Sequence, residues 1–592
     1  MNARYSVGID LGTTNSVVAY SPLSDQTDLQ LLMIPQIVQP GQVESLASLA
    51  SFLYLPREGE IDSLRTEIDA DPASGVVGEY ARTQAAENPQ RVVVAAKSWL
   101  CHSTVGRTDA VLPWQSPPEV PKVSAYECTQ RFLAHLVAAW NEQHTDAPLR
   151  DQQVVLTVPA SFAPAARELT RQAAIAAGLP ESFVLLEEPQ AAVYRWLAAR
   201  GDQWRESLKP DDVMLVVDVG GGTTDLTLVT VSQHEGELNL RRLAVGNHLL
   251  LGGDNMDLAL AHFVSGRFAE QGHDLDPWQS ISLWHACRNA KEQLLAPDGP
   301  ETQTISVLGR GSSLIGGTVS TEITKQETAK LIVEGFFPKC GASDRPQSNV
   351  ASGFQDIGLP YESDAAVTKH VATFLADQSA EESNTVSPTH VLFNGGVFRS
   401  ETLRLRMRET IDDWCQNAPQ TLGGPEDLDT SVAIGAAYYG WSKQSGGIRI
   451  RGGTARSYYV GIETAGLAIP GVPRPLRAVC VAPRGMEEGT ESEVPGEEVG
   501  VIVGTPAQFR FFSSAIRADD TAGTRLDRWT KDELVEIEPV SVCLTSESAS
   551  GESAFVPVRF VSRITELGMF ELWCHSTRSE DKWKMEFNAR ET

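Results

Sequence analysis

The chain has 592 residues, 42% hydrophobic and 21% charged, with a formal net charge of −28. That length exceeds what one hydrophobic core serves, so two or more domains are expected. The acidity argues against nucleic acid or an anionic membrane as a partner, and its ordinary use is solubility. No apolar run is long enough to span a bilayer. A first strand starting near Tyr5 leaves no room for a signal peptide ahead of it. The eight cysteines are scattered, with no Cys-x-x-Cys pair. They read as small core residues of a protein in a reducing cytoplasm, not as a zinc site or a disulfide frame.

Residues 5–20 read as strand, turn, strand, and residues 43–56 as apolar but irregular. "AENPQRVVVAAKSWL" (86–100) ends a helix at Asn88-Pro89 and then places Lys97. Residues 126–142 have helical spacing, with Phe132, Leu133, Leu136, Val137 and Trp140 on one face. Residues 152–178 read as a strand, a turn at Pro159 and a helix stopped by Gly178; residues 183–201 repeat the plan. Two helices follow "LGGDNMD", over about 256–271 and 279–295. Residues 339–366, rich in Gly, Pro, Ser and Asp, read as a surface insertion. "THVLFNGGVFRSETLRLRMRETI" is again strand, glycine turn, helix, and "DTSVAIGAAYYGWSK" is a small-residue helix able to pack closely. Strands alternating with helices indicate an α/β domain over 1–445. "SKQSGGIRIRGG" (442–453) reads as a linker, with 446–453 its core and Ile448 and Ile450 its only aliphatic anchors. From 454 to 592 helical periodicity disappears, and alternating segments such as "AQFRFFSS", "VEIEPVSVCL", "AFVPVRFVS", "GMFELWC" and a last strand "WKMEFNAR" indicate a small all-β domain.

The chemistry concentrates in two turns. "MLVVDVGGGTTDLTLVTV" (214–231) breaks a pair of apolar strands with Asp218, Gly220, Gly221, Gly222, Thr223, Thr224 and Asp225. Glycines there cost backbone entropy but let a ligand approach the main chain. Backbone N–H groups and threonine hydroxyls suit phosphate oxygens, and flanking carboxylates suit a Mg²⁺ held through its waters. One such turn is as readily an ordinary hairpin. "VGIDLGTTNSVVAY" (7–20) has the same plan, with Asp10 answering to Asp218 and Thr13-Thr14 to Thr223-Thr224. Two copies about two hundred residues apart indicate duplicated lobes that clamp one nucleotide.

At these motifs the sequence resembles the DnaK-type seventy-kilodalton heat-shock chaperone family. "GIDLGTTNS" and "DVGGGTTD" are similar to its two phosphate hairpins, and "VPASFAPAARELT" and "VAIGAA" to its connecting segments. "EEPQAA" is similar to its acidic turn, "NGGVFR" to its adenosine turn, and "NPQRVVVAAK" carries a lysine at the family spacing. The motifs run from residue 5 to about 440. The resemblance implies a two-lobed, actin-like ATPase with ATP or ADP and Mg²⁺ as cofactors. Asp10 and Asp218 would hold the hydrated metal, and Gly12, Thr13, Thr14, Asn15, Gly220, Gly221, Gly222 and Thr223 would cradle the phosphates. Lys97 would touch the terminal phosphate, with Thr223 beside it, and Glu188 and Asp225 would orient or deprotonate the attacking water. Lys291, Gly395, Gly396, Arg399 and Asp429 would meet the adenosine. Pro159 and Arg167 match the pair that passes nucleotide state to the second domain.

The departures are specific. Arg288 stands where the family has an acid for the ribose, and Glu292 and Leu295 replace its stacking and hydroxyl residues. Adenine specificity is therefore less fixed than phosphate binding. The linker is basic and glycine-rich where the family's is leucine-rich and aspartate-ended. "YYVGIETAG" and "APRGM" resemble worn strands of the family's peptide-binding domain, and no helical lid is expected after them. The expected function is slow ATP hydrolysis controlling the grip of the β domain on extended or unfolded polypeptide, with possible co-chaperones. The alternative is a nucleotide-dependent switch docking one dedicated partner. A small-molecule kinase fits poorly, because no sugar-site signature is visible.

Overall fold

The computed structural model describes residues 3–66, 72–102, 105–160, 162, 164–234, 237–246, 249–308, 318–347, 359, 361–378, 386–423, 427–445, 450–451, 454, 456–464, 475–487, 489–514, 517, 519–530, 533–537, 540–544, 554–565 and 569–588. The chain forms two compact units, Met1–Arg449 and Ile450–Thr592. Most of the expected linker core, including Ile448, lies outside the described residues, as does much of the expected 339–366 insertion.

The larger unit is built twice on one plan. In its first sheet the order is Val184–Glu187, Gln153–Val158, Tyr5–Leu11, Asn15–Pro22, Gln30–Leu31. In its second it is Gln420–Thr421, His390–Asn394, Val213–Val219, Thr224–His234, Glu237–Val245. In both, the first strand of a hairpin takes a parallel neighbour on one side and its own antiparallel return on the other. These strands read as unbroken apolar runs because both faces are covered; Met214, Leu215, Val216 and Val217 are all fully buried.

The lobes are joined by close helix packing. The helix Ser431–Ser445 lies on Tyr5–Leu11 and on the helix Glu188–Arg200. Its small residues make this possible: a Cβ on Gly435 would collide with the carbonyl of Ala191, and one on Gly440 with Ser6 Oγ. On the strand side, a Cβ on Gly8 would collide with the backbone of Ala433 and Ala437.

Two local differences from the sequence reading have plain causes. Residues 43–56, expected to be irregular, include the short strands Leu49–Ala50 and Leu53–Tyr54, whose pairing is with distant segments. The strands Thr302–Leu308 and Thr318–Thr324 were not foreseen. They form a two-stranded sheet, and Ile305, Val307 and Ile323 bury themselves on the helices Gly253–Glu270 and Pro277–Leu295.

In the second unit every described regular element is a strand. One sheet runs Arg525–Leu526, Leu476–Ala482, Ser457–Glu463, Pro506–Ser514, Val535–Glu536. Another runs Thr490–Glu493, Ala554–Ile564, Met569–Ser576, Lys582–Asn588, with Val499–Val503 also on Ala554–Ile564. Their inner faces share one core around Tyr458, Val460, Val481, Phe511, Phe570 and Leu572.

Because Gly435 has no space for a side-chain carbon, Gly435→Ala is expected to destabilise the larger unit by about 1–3 kcal/mol, the usual cost of overpacking. Thermal unfolding of the full chain checks this: the larger unit's transition falls and that of the second unit stays in place.

Candidate functional site

Asp10 and Asp218 each sit near the end of a hairpin's first strand, and each is held by the neighbouring parallel strand. Asp10 is in register with Thr157, whose Oγ1 donates to Asp10 Oδ1 at 3.1 Å. Asp218 is in register with Asn394, whose Nδ2 donates to Asp218 Oδ2 at 2.8 Å. Ser431 Oγ in turn donates to Asn394 Oδ1 at 2.6 Å, which fixes the orientation of that amide. Thr157, Asn394 and Ser431 were missed in the sequence. Their signal was positional: the first two sit at or next to the end of a parallel strand just before a turn.

The turns open on one cleft, whose empty space, open to solvent, is about 1280 Å³. Asp10, Gly12, Thr13, Thr14, Asn15, Lys97, Glu188, Asp218, Gly220, Gly221 and Thr223 line it at one end; Lys291, Gly395, Gly396, Arg399 and Asp429 also line it. Gly222, Asp225, Pro159 and Arg167 are not among its lining residues. The glycines at the tips are a steric requirement. A Cβ on Gly221 would collide with Thr14 Oγ1 of the facing turn, and one on Gly222 would lie 2.7 Å from Ser98 Oγ. Gly395 has φ +89, and a Cβ there would collide with the Val219 carbonyl. The helix Gly253–Glu270 braces the second turn, with Gly253 N–H donating to Gly220 O at 3.0 Å and Asp254 N–H to Gly221 O at 2.7 Å.

The charges here are unbalanced. Lys97 is 7% exposed and its Nζ lies 2.5 Å from Glu188 Oε1. Burial works against the ammonium, but Glu188 and Asp10 outweigh it and hold Lys97 above its ordinary value. Burial pushes Glu188 up to about 8; Lys97 opposes this, while Asp10, Asp225 and Asp218 add to it. Burial, with Asp225 and Asp10, likewise pushes Asp218 up to about 7 against its bond from Asn394. Asp10 is raised by burial, partly offset by Lys97 and Thr157. Four carboxylates around one ammonium leave a negative excess that a divalent cation would relieve. Among the described residues no three Asp, Glu, His or Cys side chains converge tightly enough to hold an ion directly. Mg²⁺ that keeps its waters does not need that, so Asp10 and Asp218 fit the expected hydrated ion.

Next to the second turn, charged side chains are paired among themselves. Arg288, 6% exposed, bonds Asp254 through Nη2 and Asp257 Oδ2 through Nε at 2.9 Å. Its guanidinium lies 5.8 Å from the ring centre of Phe52 and 5.5 Å from that of Trp284. Lys291 Nζ lies 2.6 Å from Asp257 Oδ1 and donates to Gly253 O at 3.1 Å. The two cations therefore clamp the first turn of the helix that braces the second glycine turn. Asp254 and Asp257 were not foreseen. Arg399 Nη1 pairs with Asp429 Oδ2 at 2.8 Å. Arg167 is buried behind the cleft: its Nη2 donates to Ala160 O at 2.7 Å, next to Pro159, and lies 3.8 Å from Glu187 Oε1. Arg242 Nη1 donates to the other oxygen of Glu187 at 3.1 Å, tying the strand that leads into Glu188 to the second lobe's sheet.

Residues 69–334 match the family model described as Hsp70 protein. A protein of Pseudomonas aeruginosa named "Chaperone protein HscA homolog" is 31% identical over 305 residues, covering 49% of this chain and 42% of that protein. Bearers of the same name from Pseudomonas fluorescens and Actinobacillus pleuropneumoniae are each 31% identical, over 301 and 267 residues. Over the matched stretch the chain is similar to Hsp70-type proteins. The match spans about two fifths of these relatives' length, 42% and 38% for the first and last named. The Hsp70 family domain carries with it the two-lobed actin-like ATPase fold, and the doubled sheets of the larger unit are of that kind. Among the described residues no helix is long and apolar enough to cross a membrane.

The raised carboxyls set a pH dependence. Between the ordinary carboxyl range and the folded values of about 7 for Asp218 and about 8 for Glu188, the native state binds more protons than the unfolded one. Stability must then fall as pH rises through that window. In EDTA, the larger unit's melting temperature is expected to drop between about pH 5 and about pH 8, and Asp218→Asn to flatten the slope. An unchanged slope in the variant would separate Asp218 from the effect.

Proposed function

We propose that this chain is an ATP-hydrolysing, chaperone-like protein in which nucleotide state controls how the second unit grips polypeptide, working in a reducing cytoplasm. The observation that carries the reading is the meeting of two duplicate phosphate turns across one cleft, with the buried Lys97–Glu188 pair between them. Thr13, Thr14, the 220–222 backbone and Thr223 donate to phosphate oxygens, and Lys97 carries the positive charge to the terminal phosphate. Bound Mg²⁺, held through water by Asp10 and Asp218, supplies further charge neutralisation. Phosphoryl transfer to water needs charge neutralisation and positioning more than covalent help. Glu188, paired with Lys97, orients the attacking water or takes its proton; Asp225 supports it. Gly395, Gly396, Arg399 and Asp429 take the adenosine, and Lys291 acts there by fixing Gly253 and Asp257 as well as by its charge.

The second unit supports polypeptide binding through sheet edges and two strongly exposed apolar side chains, Phe555 at 73% and Val535 at 53%. An extended segment added to an edge gains backbone hydrogen bonds, and pockets for alternate side chains give selectivity. A second reading, a switch that docks one dedicated partner, is favoured by one fact: the family match ends at residue 334, short of this unit.

Two measurements test these assignments. Lys97→Ala is expected to abolish steady-state hydrolysis while ATP–Mg²⁺ affinity stays within about tenfold, or about 1.4 kcal/mol; wild-type turnover in the variant would remove Lys97 from the chemistry. Stopped-flow release of a labelled apolar peptide from the full chain, with ATP and with ADP, is expected to show binding with rapid release that ADP slows only modestly, since such differences fall mostly in the off-rate; release slowed about a hundredfold by ADP would overturn this. Absence of peptide binding under both nucleotides would favour the dedicated-partner switch.

A further inference from the structure

The residue after Lys97 stands in an unusual position. Ser98 lies on the short helix Ala96–Trp99 and is 2% exposed. Its backbone is satisfied, with N–H donating to Ala95 O at 2.9 Å and its carbonyl accepting from Cys101 N–H at 3.1 Å. Its Oγ is fully buried and, among the described residues, has no hydrogen-bond partner. A buried hydroxyl in that state is unfavourable and calls for a reason. The hydroxyl is pressed against the seam of the two phosphate turns. A Cβ on Gly222 would lie 2.7 Å from Ser98 Oγ, 3.0 Å from Thr13 Cγ2 and 3.2 Å from Thr13 Oγ1. Both tips and the lysine-bearing segment therefore converge on one glycine.

We propose that Ser98 is a positioning residue that senses the terminal phosphate. When the tip at Gly222 and Thr223 draws in on a third phosphate, the Ser98 hydroxyl gains its missing hydrogen bond from the moving tip and pins that tip to the segment carrying Lys97. A hydroxyl both donates and accepts, so either the N–H groups or the carbonyls of the tip can serve. A diphosphate does not draw the tip in. The bond therefore belongs to the triphosphate-bound, reacting state, and an interaction made there raises turnover more than affinity. This inference rests on the nucleotide reading above.

The test is Ser98→Ala in the full chain, with turnover, binding of Mg²⁺–ADP and of a non-hydrolysable ATP analogue, and melting curves. Turnover is expected to fall by about tenfold or more with KM within about twofold. The melting temperature of the free variant should equal or exceed the wild-type value, because a buried, unpartnered hydroxyl has been removed. The extra thermal shift given by the ATP analogue over ADP should shrink, while the ADP shift stays. Ser98→Cys, with a weak donor of similar size, should fall between wild type and alanine. A variant that melts lower when free, yet keeps turnover and the analogue–ADP difference, would show a purely structural serine and overturn the proposal. Wild-type protein that neither binds nor hydrolyses ATP would overturn the nucleotide reading together with it. Wild-type hydrolysis with unaltered turnover in Ser98→Ala would overturn the serine assignment alone.

Discussion

Two chain reversals from opposite lobes meet tip to tip, and the larger unit is arranged so that glycines of one turn face the threonines of the other. Gly221 faces Thr14 Oγ1, Gly222 faces Ser98 and Thr13, and Gly252 sits 2.6 Å, measured from a built Cβ, from the Gly221 carbonyl. Each such glycine costs roughly 0.5–1 kcal/mol of backbone entropy relative to alanine in a regular element. The cost is tolerated only because a deep core anchors the strands that lead into the turns. The second sheet's core, from Leu215 and Val217 to Phe393 and Phe398, lies directly behind them. The same need for close approach recurs behind the first lobe, where Gly435 and Gly440 let the helix Ser431–Ser445 lie against its neighbours.

Bringing the tips together also crowds charge. Asp10, Asp218, Asp225 and Glu188 share the neighbourhood of a single ammonium, Lys97. Removing carboxylates from water disfavours their charged forms unless cations or hydrogen bonds compensate. The protein compensates in part, through Thr157 on Asp10 and Asn394 on Asp218. The remainder is a standing affinity for cations, which matches a site for a metal-bound polyphosphate. Beside the second turn the protein pairs its own groups, Arg288 and Lys291 against Asp254 and Asp257.

Much of this was legible in the residues. The paired turns, the apolar strands that flank them and the helices after Pro159, Glu188 and Asn394 all carry local signals, because glycine, proline and hydrophobic period act within a few residues. The helix that begins at Gly253 was read three residues late, because its first turn is set by hydrogen bonds to Gly220 and Gly221 and not by its own periodicity. The Thr302–Leu308 and Thr318–Thr324 pair escaped notice because its outward residues are mostly polar and its buried ones, Ile305, Val307 and Ile323, are meaningful only against two distant helices.

By itself the sequence determined that two aspartate–glycine–threonine turns, a lysine after Asn-Pro and an acidic Glu-Glu-Pro turn were present, since turn chemistry and backbone freedom are properties of short stretches. Which of these groups would touch was decided only by tertiary structure. The Lys97–Glu188 pair spans 91 positions and the Asp218–Asn394 bond 176; both follow from parallel strand register and lobe packing, which no local pattern encodes. Arg288 shows the division most sharply. Its position in a helix was readable, but its capture by Asp254 and Asp257 depends on two helices packing at one register, and that packing makes it a brace for the 220–223 turn.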